Sequence, residues 1–70
     1  MATARYTVRN EAGRRVRIQF ATDNAAFEDY PNERRRLVRV AMARNEHGDR
    51  EGRLMDLNGN TVGGFRELRG

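Results

Sequence analysis

Cysteine, lysine, serine and tryptophan are absent from this 70-residue chain, and proline and histidine occur once each, as Pro31 and His47. Without cysteine there is no disulfide to staple a small core and no thiolate to hold a metal, and a lone histidine cannot complete a zinc site. Without serine or cysteine the serine and cysteine triads are excluded. Glu28 and Asp29 are adjacent and would point apart on a helix, and no glycine-rich phosphate loop opens a helix, since Gly63-Gly64 falls in a strand pair. The expectation is a non-enzyme that uses no cofactor and no metal. Long apolar runs are missing too: none exceeds about five residues, against the roughly 7–20 that a signal peptide or membrane span requires. The chain is therefore expected in the cytoplasm, away from membranes.

Seventy residues make one small domain whose single core is thermodynamically marginal. With disulfides and metals excluded, a homodimer or a large partner is the remaining way to bury more surface. Fourteen basic residues stand against ten acids, for a net charge of +4. Every basic residue is arginine. Codon usage in a GC-rich genome accounts for that choice; so does a binding role, because arginine's planar fork suits phosphates, carboxylates and interfaces better than a point charge. The charge is also blocked. Residues 1–22 carry net +4, residues 23–33 net −4 through Asp23, Glu28, Asp29 and Glu33, residues 34–45 net +5, and the remainder net −1. The acidic block falls where a helix should begin, and free N–H groups there favour carboxylates.

The one clear helical pattern is Arg34 to Arg44. At 100° per residue Leu37, Val38 and Ala41 gather on one side and Arg35, Arg36 and Arg39 on the other. Pro31 suits its first turn and Gly48 its left-handed terminus, so the helix is predicted from about Pro31 to about Asn45. Before it, Thr22-Asp23-Asn24 is an N-cap signature, and Phe27 is expected in the core.

On both sides of Asn10-Glu11-Ala12-Gly13 apolar residues alternate with polar ones: Ala4, Tyr6 and Val8, then Val16, Ile18 and Phe20. That is a hairpin with one apolar face. Its other face would carry Arg5, Arg9, Arg15 and Arg17, like charges side by side that cost stability unless an anion sits among them. A second hairpin is predicted from Gly52–Leu57 and Thr61–Leu68 around Asn58-Gly59. Its facing is open, because Leu54 is out of phase with Met55 and Leu57, and Gly63-Gly64 marks a bulge that would reset the phase. The order is ββαββ, an α+β domain with about four antiparallel strands covered by a single helix.

Asp56, Asn58, Asn60 and Glu67 match positions 1, 3, 5 and 12 of an EF-hand loop, but Thr61 stands where the sharp turn needs glycine and no flanking helices are present. The hairpin explains the same residues without calcium. His47 has no nucleophile or carboxylate placed near it and reads as an exposed loop residue. Binding remains, to a larger protein or ribonucleoprotein assembly or to nucleic acid without sequence preference, with Arg5, Arg9, Arg15, Arg17, Arg35, Arg36 and Arg39 as the candidate contacts. Tyr6 and Phe20 share the phase of Val8 and Ile18 and should face the core, which disfavours base stacking on the sheet.

Thr22-Asp23-Asn24-Ala25-Ala26-Phe27, the following amphipathic helix, and Asp56-Leu57-Asn58-Gly59-Asn60-Thr61-Val62-Gly63 together resemble a group of very small phage and prophage proteins from GC-rich bacteria, over roughly residues 20–65. That group is similar to the class of mobile-element proteins that includes anti-CRISPR inhibitors. The resemblance implies a short, single-domain, non-catalytic binder that blocks a host defence complex. It carries over no inhibitory contact, and the arginine-rich first hairpin lies outside it.

Overall fold

The computed structural model describes residues 3–22 and 32–69. Strands β1 (Thr3–Arg9) and β2 (Arg15–Ala21) form the first hairpin, helix α1 (Glu33–Glu46) follows, and β3 (Glu51–Met55) and β4 (Thr61–Glu67) form the second. The four strands make one antiparallel sheet in the order β1-β2-β4-β3, so β2 and β4 are central and each hairpin contributes one edge. The helix crosses one face of the sheet. This is the α+β arrangement expected from the alternation and the single helical stretch.

Alternation in the first hairpin places Ala4, Val16, Ile18 and Phe20 on the inner face, joined by Leu37 and Ala41 from the helix and Leu54 and Phe65 from the second hairpin. Tyr6 lies half-buried with its ring stacked on Phe20 at a 6.0 Å centroid separation. The phase left open in the second hairpin is settled by a bulge, which falls not at Gly63-Gly64, as expected, but one residue earlier, since both glycines pair regularly with β3. Leu54 pairs with Gly63 but Met55 pairs with Thr61, so Val62 is the extra residue and the alternation shifts there. Leu54 and Phe65 therefore face inward while Met55 and Leu57 stay exposed.

Gly63 is held where β4 passes closest to β2. A Cβ on it would lie 1.9 Å from the Gln19 carbonyl oxygen and 2.5 Å from Phe20 Cα. Only glycine fits there.

The two hairpin turns are built alike. Asn10 N–H donates to Arg14 O (2.8 Å), Gly13 N–H to Asn10 O (2.9 Å) and Arg14 N–H to the Asn10 side-chain oxygen (2.9 Å). Asp56 N–H donates to Asn60 O (2.9 Å), Gly59 N–H to Asp56 O (3.1 Å) and Asn60 N–H to Asp56 Oδ1 (2.9 Å). Each turn has its left-handed residue at the fourth position, Gly13 at φ 79° and Gly59 at φ 84°. These are three-residue loops closed by a left-handed glycine, and Asn58 keeps a negative φ.

The described helix begins at Glu33 and ends at Glu46; Pro31, the Asp23–Asn24 part of the N-cap signature, and Phe27 lie outside the described residues. His47 is the exposed C-cap residue. Gly48, at φ 111°, follows it, and Asp49 N–H donates to Arg44 O while Gly48 N–H donates to Asn45 O. That bond pair is a Schellman terminus.

Candidate functional site: an arginine face on the open side of the sheet

With the helix on the inner face, the register decides what the other face shows. Arg9 lies opposite Arg15 and Thr7 opposite Arg17 across β1 and β2; Arg17 lies opposite Arg66, and Arg66 opposite Glu51, across β4 and β3. The next row reads Arg5, Gln19, Gly64 and Arg53. Among the described residues, six exposed arginines (Arg5, Arg9, Arg15, Arg17, Arg53 and Arg66) thus share one face with a single acid, Glu51. Arg66 pairs with Glu51 at 3.4 Å, both well exposed, and Arg9 folds back to donate to Gly13 O at 3.0 Å. Arg5, Arg15, Arg17 and Arg53 form no side-chain hydrogen bond or ion pair among the described residues. Gly64 leaves the middle of this face bare. The shallow trough over it, about 820 Å³, is lined in part by Arg17, Gln19, Arg53 and Arg66.

The structure divides the sequence candidates into three groups. Arg5, Arg9, Arg15 and Arg17 are brought together on the outer sheet face. Arg35 and Arg39 are exposed on the opposite side of the molecule, beyond the helix, where with Arg34 they rim a groove of about 380 Å³ floored by Tyr6 and Val38.

Arg36 departs from the expected solvent face. Its Nε and Nη2 donate to the two oxygens of Glu33, the latter at 3.1 Å, and Nη2 also donates to Met55 O at 3.0 Å. Glu33 is 2% exposed and accepts a third bond from Leu57 N–H at 3.2 Å. The reason is position: Arg36 borders the buried stripe on the side facing the second turn, and a buried carboxylate one turn away takes up its charge. The hydrogen bond from Arg36 to Glu33 raises the guanidinium pKa further above its ordinary value, against a smaller opposing effect of burial.

The helix is thus clamped at both ends, by different chemistry. At its start the Glu33–Arg36 pair grips the second turn. At its end Asn10 Nδ2 donates to Asn45 Oδ1 at 2.8 Å and to Glu67 Oε1 at 3.2 Å, and Asn45 Nδ2 donates to Asp49 O at 3.0 Å. Arg44 adds a staple to β3, donating to Arg53 O at 2.7 Å with its guanidinium 5.2 Å from the Phe65 ring centre.

Asp56, the first of the calcium-like positions, is held by its own turn. Bonds from Asn60 N–H first, then the Asn60 side chain, Asn58 N–H and the nearby Arg36 charge, hold its carboxyl below the ordinary 3.8, with burial opposing. Glu67, the twelfth position, sits at the far end of β4, about 20 Å of strand away, so the two cannot share an ion.

No protein-family model, no curated protein and no solved structure matches this chain. The site must be judged on its own chemistry.

Sequence reasoning missed Arg53 and Arg66. Each sits next to a core residue, Leu54 and Phe65, and alternation from those two alone places both arginines outward. The bulge at Val62 hid this by shifting Thr61 out of phase with Phe65. The Glu33–Arg36 pair had a signal as well, an acid and a base three residues apart on one helix.

Proposed function

We propose that this chain is a non-catalytic binding protein of phage or mobile-element origin that docks through the outer sheet face onto phosphate-bearing surfaces. Its targets are nucleic acid itself, or the nucleic-acid component of a larger ribonucleoprotein such as a host CRISPR–Cas defence complex, which a protein bound there would inhibit. One observation carries the phosphate reading. Among the described residues six arginines project from four neighbouring strands with one acid among them, and two of the pairs, Arg9 with Arg15 and Arg17 with Arg66, are like charges directly opposite across a ladder. Such pairs each cost a few tenths of a kcal/mol or more in the free protein, and polyanion binding turns that cost into affinity. The inhibitory role rests on the resemblance to small phage proteins, which assigns it no contact surface. Direct nucleic-acid contact is the better supported of the two.

The test is binding of the purified protein to labelled random-sequence nucleic acid at about 50 and 200 mM salt, with the Arg15→Glu/Arg17→Glu variant alongside. Binding at the lower salt that weakens steeply at the higher, and is lost in the variant while the circular dichroism spectrum is kept, supports the reading. Unchanged binding by the variant removes the sheet face from it.

A further inference from the structure

We propose, resting on the phosphate-contact reading above, that the occupant of the outer face is double-stranded DNA, gripped by its backbone across the minor groove without regard to sequence. Three features point there.

The first is the absence of stacking groups. Phe20 and Phe65 are buried on the inner face, and Tyr6 is half-buried against Phe20. Among the described residues the outer face holds arginine, Thr3, Thr7, Gln19, Ala21, Glu51, Met55, Thr61 and Gly64; Val62, Phe20 and Phe65 also line the trough, but both rings are buried, at 1% and 4% exposure, and none is exposed for stacking. Single strands gain about 1–3 kcal/mol for each base stacked on an aromatic ring, and this face offers none of that. What it offers is a set of fixed cations, and a duplex presents more phosphates per unit length than a single strand does.

The second is spacing. Three inter-strand steps separate β1 from β3, about 14 Å, and Arg5 to Arg9 spans about 13 Å along the strand. Arg5 on one edge strand and Arg53 on the other flank the bare Gly64 row, with Arg17 and Arg66 in the row beside it. A minor groove about 6 Å wide fits between such positions, so that arginines from β1 reach one phosphate rim and those from β3 and β4 the other. The trough over Gly64 leaves room for the backbone to settle. Gly64 is bare for a structural reason of its own, since a Cβ there would lie 2.7 Å from the Gly52 carbonyl oxygen. The trough is then available to a ligand at no added strain.

The third is the lack of base readers. Among the described residues Gln19 is the one side-chain amide on the strands of this face, and the helix that could enter a major groove about 12 Å wide packs against the opposite face. Contacts to phosphate position a protein but carry no sequence information.

Fluorescence anisotropy with three labelled probes of one random 20-nucleotide sequence tests this: duplex DNA, the single DNA strand and duplex RNA. The expected result at about 50 mM salt is duplex DNA bound at least about tenfold more tightly than either of the others. Raising the salt to about 200 mM should weaken duplex binding by about 150- to 500-fold, the change for four to five phosphate contacts. Arg5→Gln/Arg53→Gln, which removes one cation from each edge strand, should lose at least about tenfold on duplex DNA and less on the single strand. Equal or tighter binding of the single strand, tighter binding of duplex RNA, or an unaffected edge variant overturns the groove assignment while leaving phosphate contact standing. Failure to bind any probe at the lower salt overturns both.

Discussion

The two faces of the sheet obey opposite rules. On the inner face every feature is tied down: Val16, Ile18, Leu37 and Ala41 are fully buried, and the two buried polar helix residues, Glu33 and Asn45, spend their hydrogen bonds on the turns at either end. On the outer face, one strand's thickness away, six arginines share, among the described residues, a single salt bridge with an exposed acid and one bond to a turn carbonyl. Burial exacts complementarity because an unpaired polar group in the interior costs about 1–3 kcal/mol, whereas an exposed guanidinium is satisfied by water. The lesson is that the inner face carries the stability and the outer face is free to serve binding.

That division should show first where the backbone is tightest. Gly63→Ala drives a methyl group into the Gln19 carbonyl, and we expect a loss of about 3 kcal/mol or more, or no cooperative fold, by urea denaturation. Glu33→Ala leaves Arg36 with only the Met55 carbonyl and Leu57 N–H without an acceptor, and the expected loss is about 2–3 kcal/mol in the same assay. Arg36→Gln should cost less, because its side chain is 38% exposed and water can replace part of what is lost.

Asp56 provides the pH arm. Its folded carboxyl lies below the ordinary 3.8, so its stabilising contribution is complete above that value and is lost as pH falls below it. Wild type and Asp56→Asn, compared from pH 7 down to about pH 2, should differ at neutral pH and converge below the ordinary carboxylate range. A constant difference across that range would show that the charge of Asp56 plays no part in the turn.

The smallest expected effect on stability belongs to the outer face. Arg17→Gln removes a like charge opposite Arg66 and should leave stability unchanged or raise it by up to about 0.5 kcal/mol, more at low salt than at high.

The same contrast explains how much was legible from the chain. The first hairpin and the helix could be read because their patterns are regular: alternation on both sides of Asn10–Gly13, and Leu37 and Ala41 one turn apart. The second hairpin was legible as a hairpin but not in its facing, because one extra residue at Val62 inverts the phase and no periodicity survives it. The arginine face was half legible for that reason. Four of its members lie in the regular hairpin and two, Arg53 and Arg66, in the bulged one. Arg36 looked like a surface charge because a helical wheel cannot show that the second turn would fold against the helix start. The shared design of the two turns was hidden as well: Asn10-Glu11-Ala12-Gly13-Arg14 and Asp56-Leu57-Asn58-Gly59-Asn60 share only glycine at the fourth place and a short carbonyl-bearing side chain at the first. The charged member meets the helix end built on Glu33 and Arg36, and the neutral member meets Asn45.

One paired measurement goes to the centre of this division: urea unfolding and duplex-DNA anisotropy on the Arg5→Gln/Arg17→Gln/Arg53→Gln/Arg66→Gln variant. A face kept for binding predicts an unfolding free energy within about 1 kcal/mol of the parent, or above it, together with at least about a 100-fold loss of DNA affinity at about 50 mM salt. A variant that binds DNA as the parent does, or that is destabilised by several kcal/mol, contradicts it.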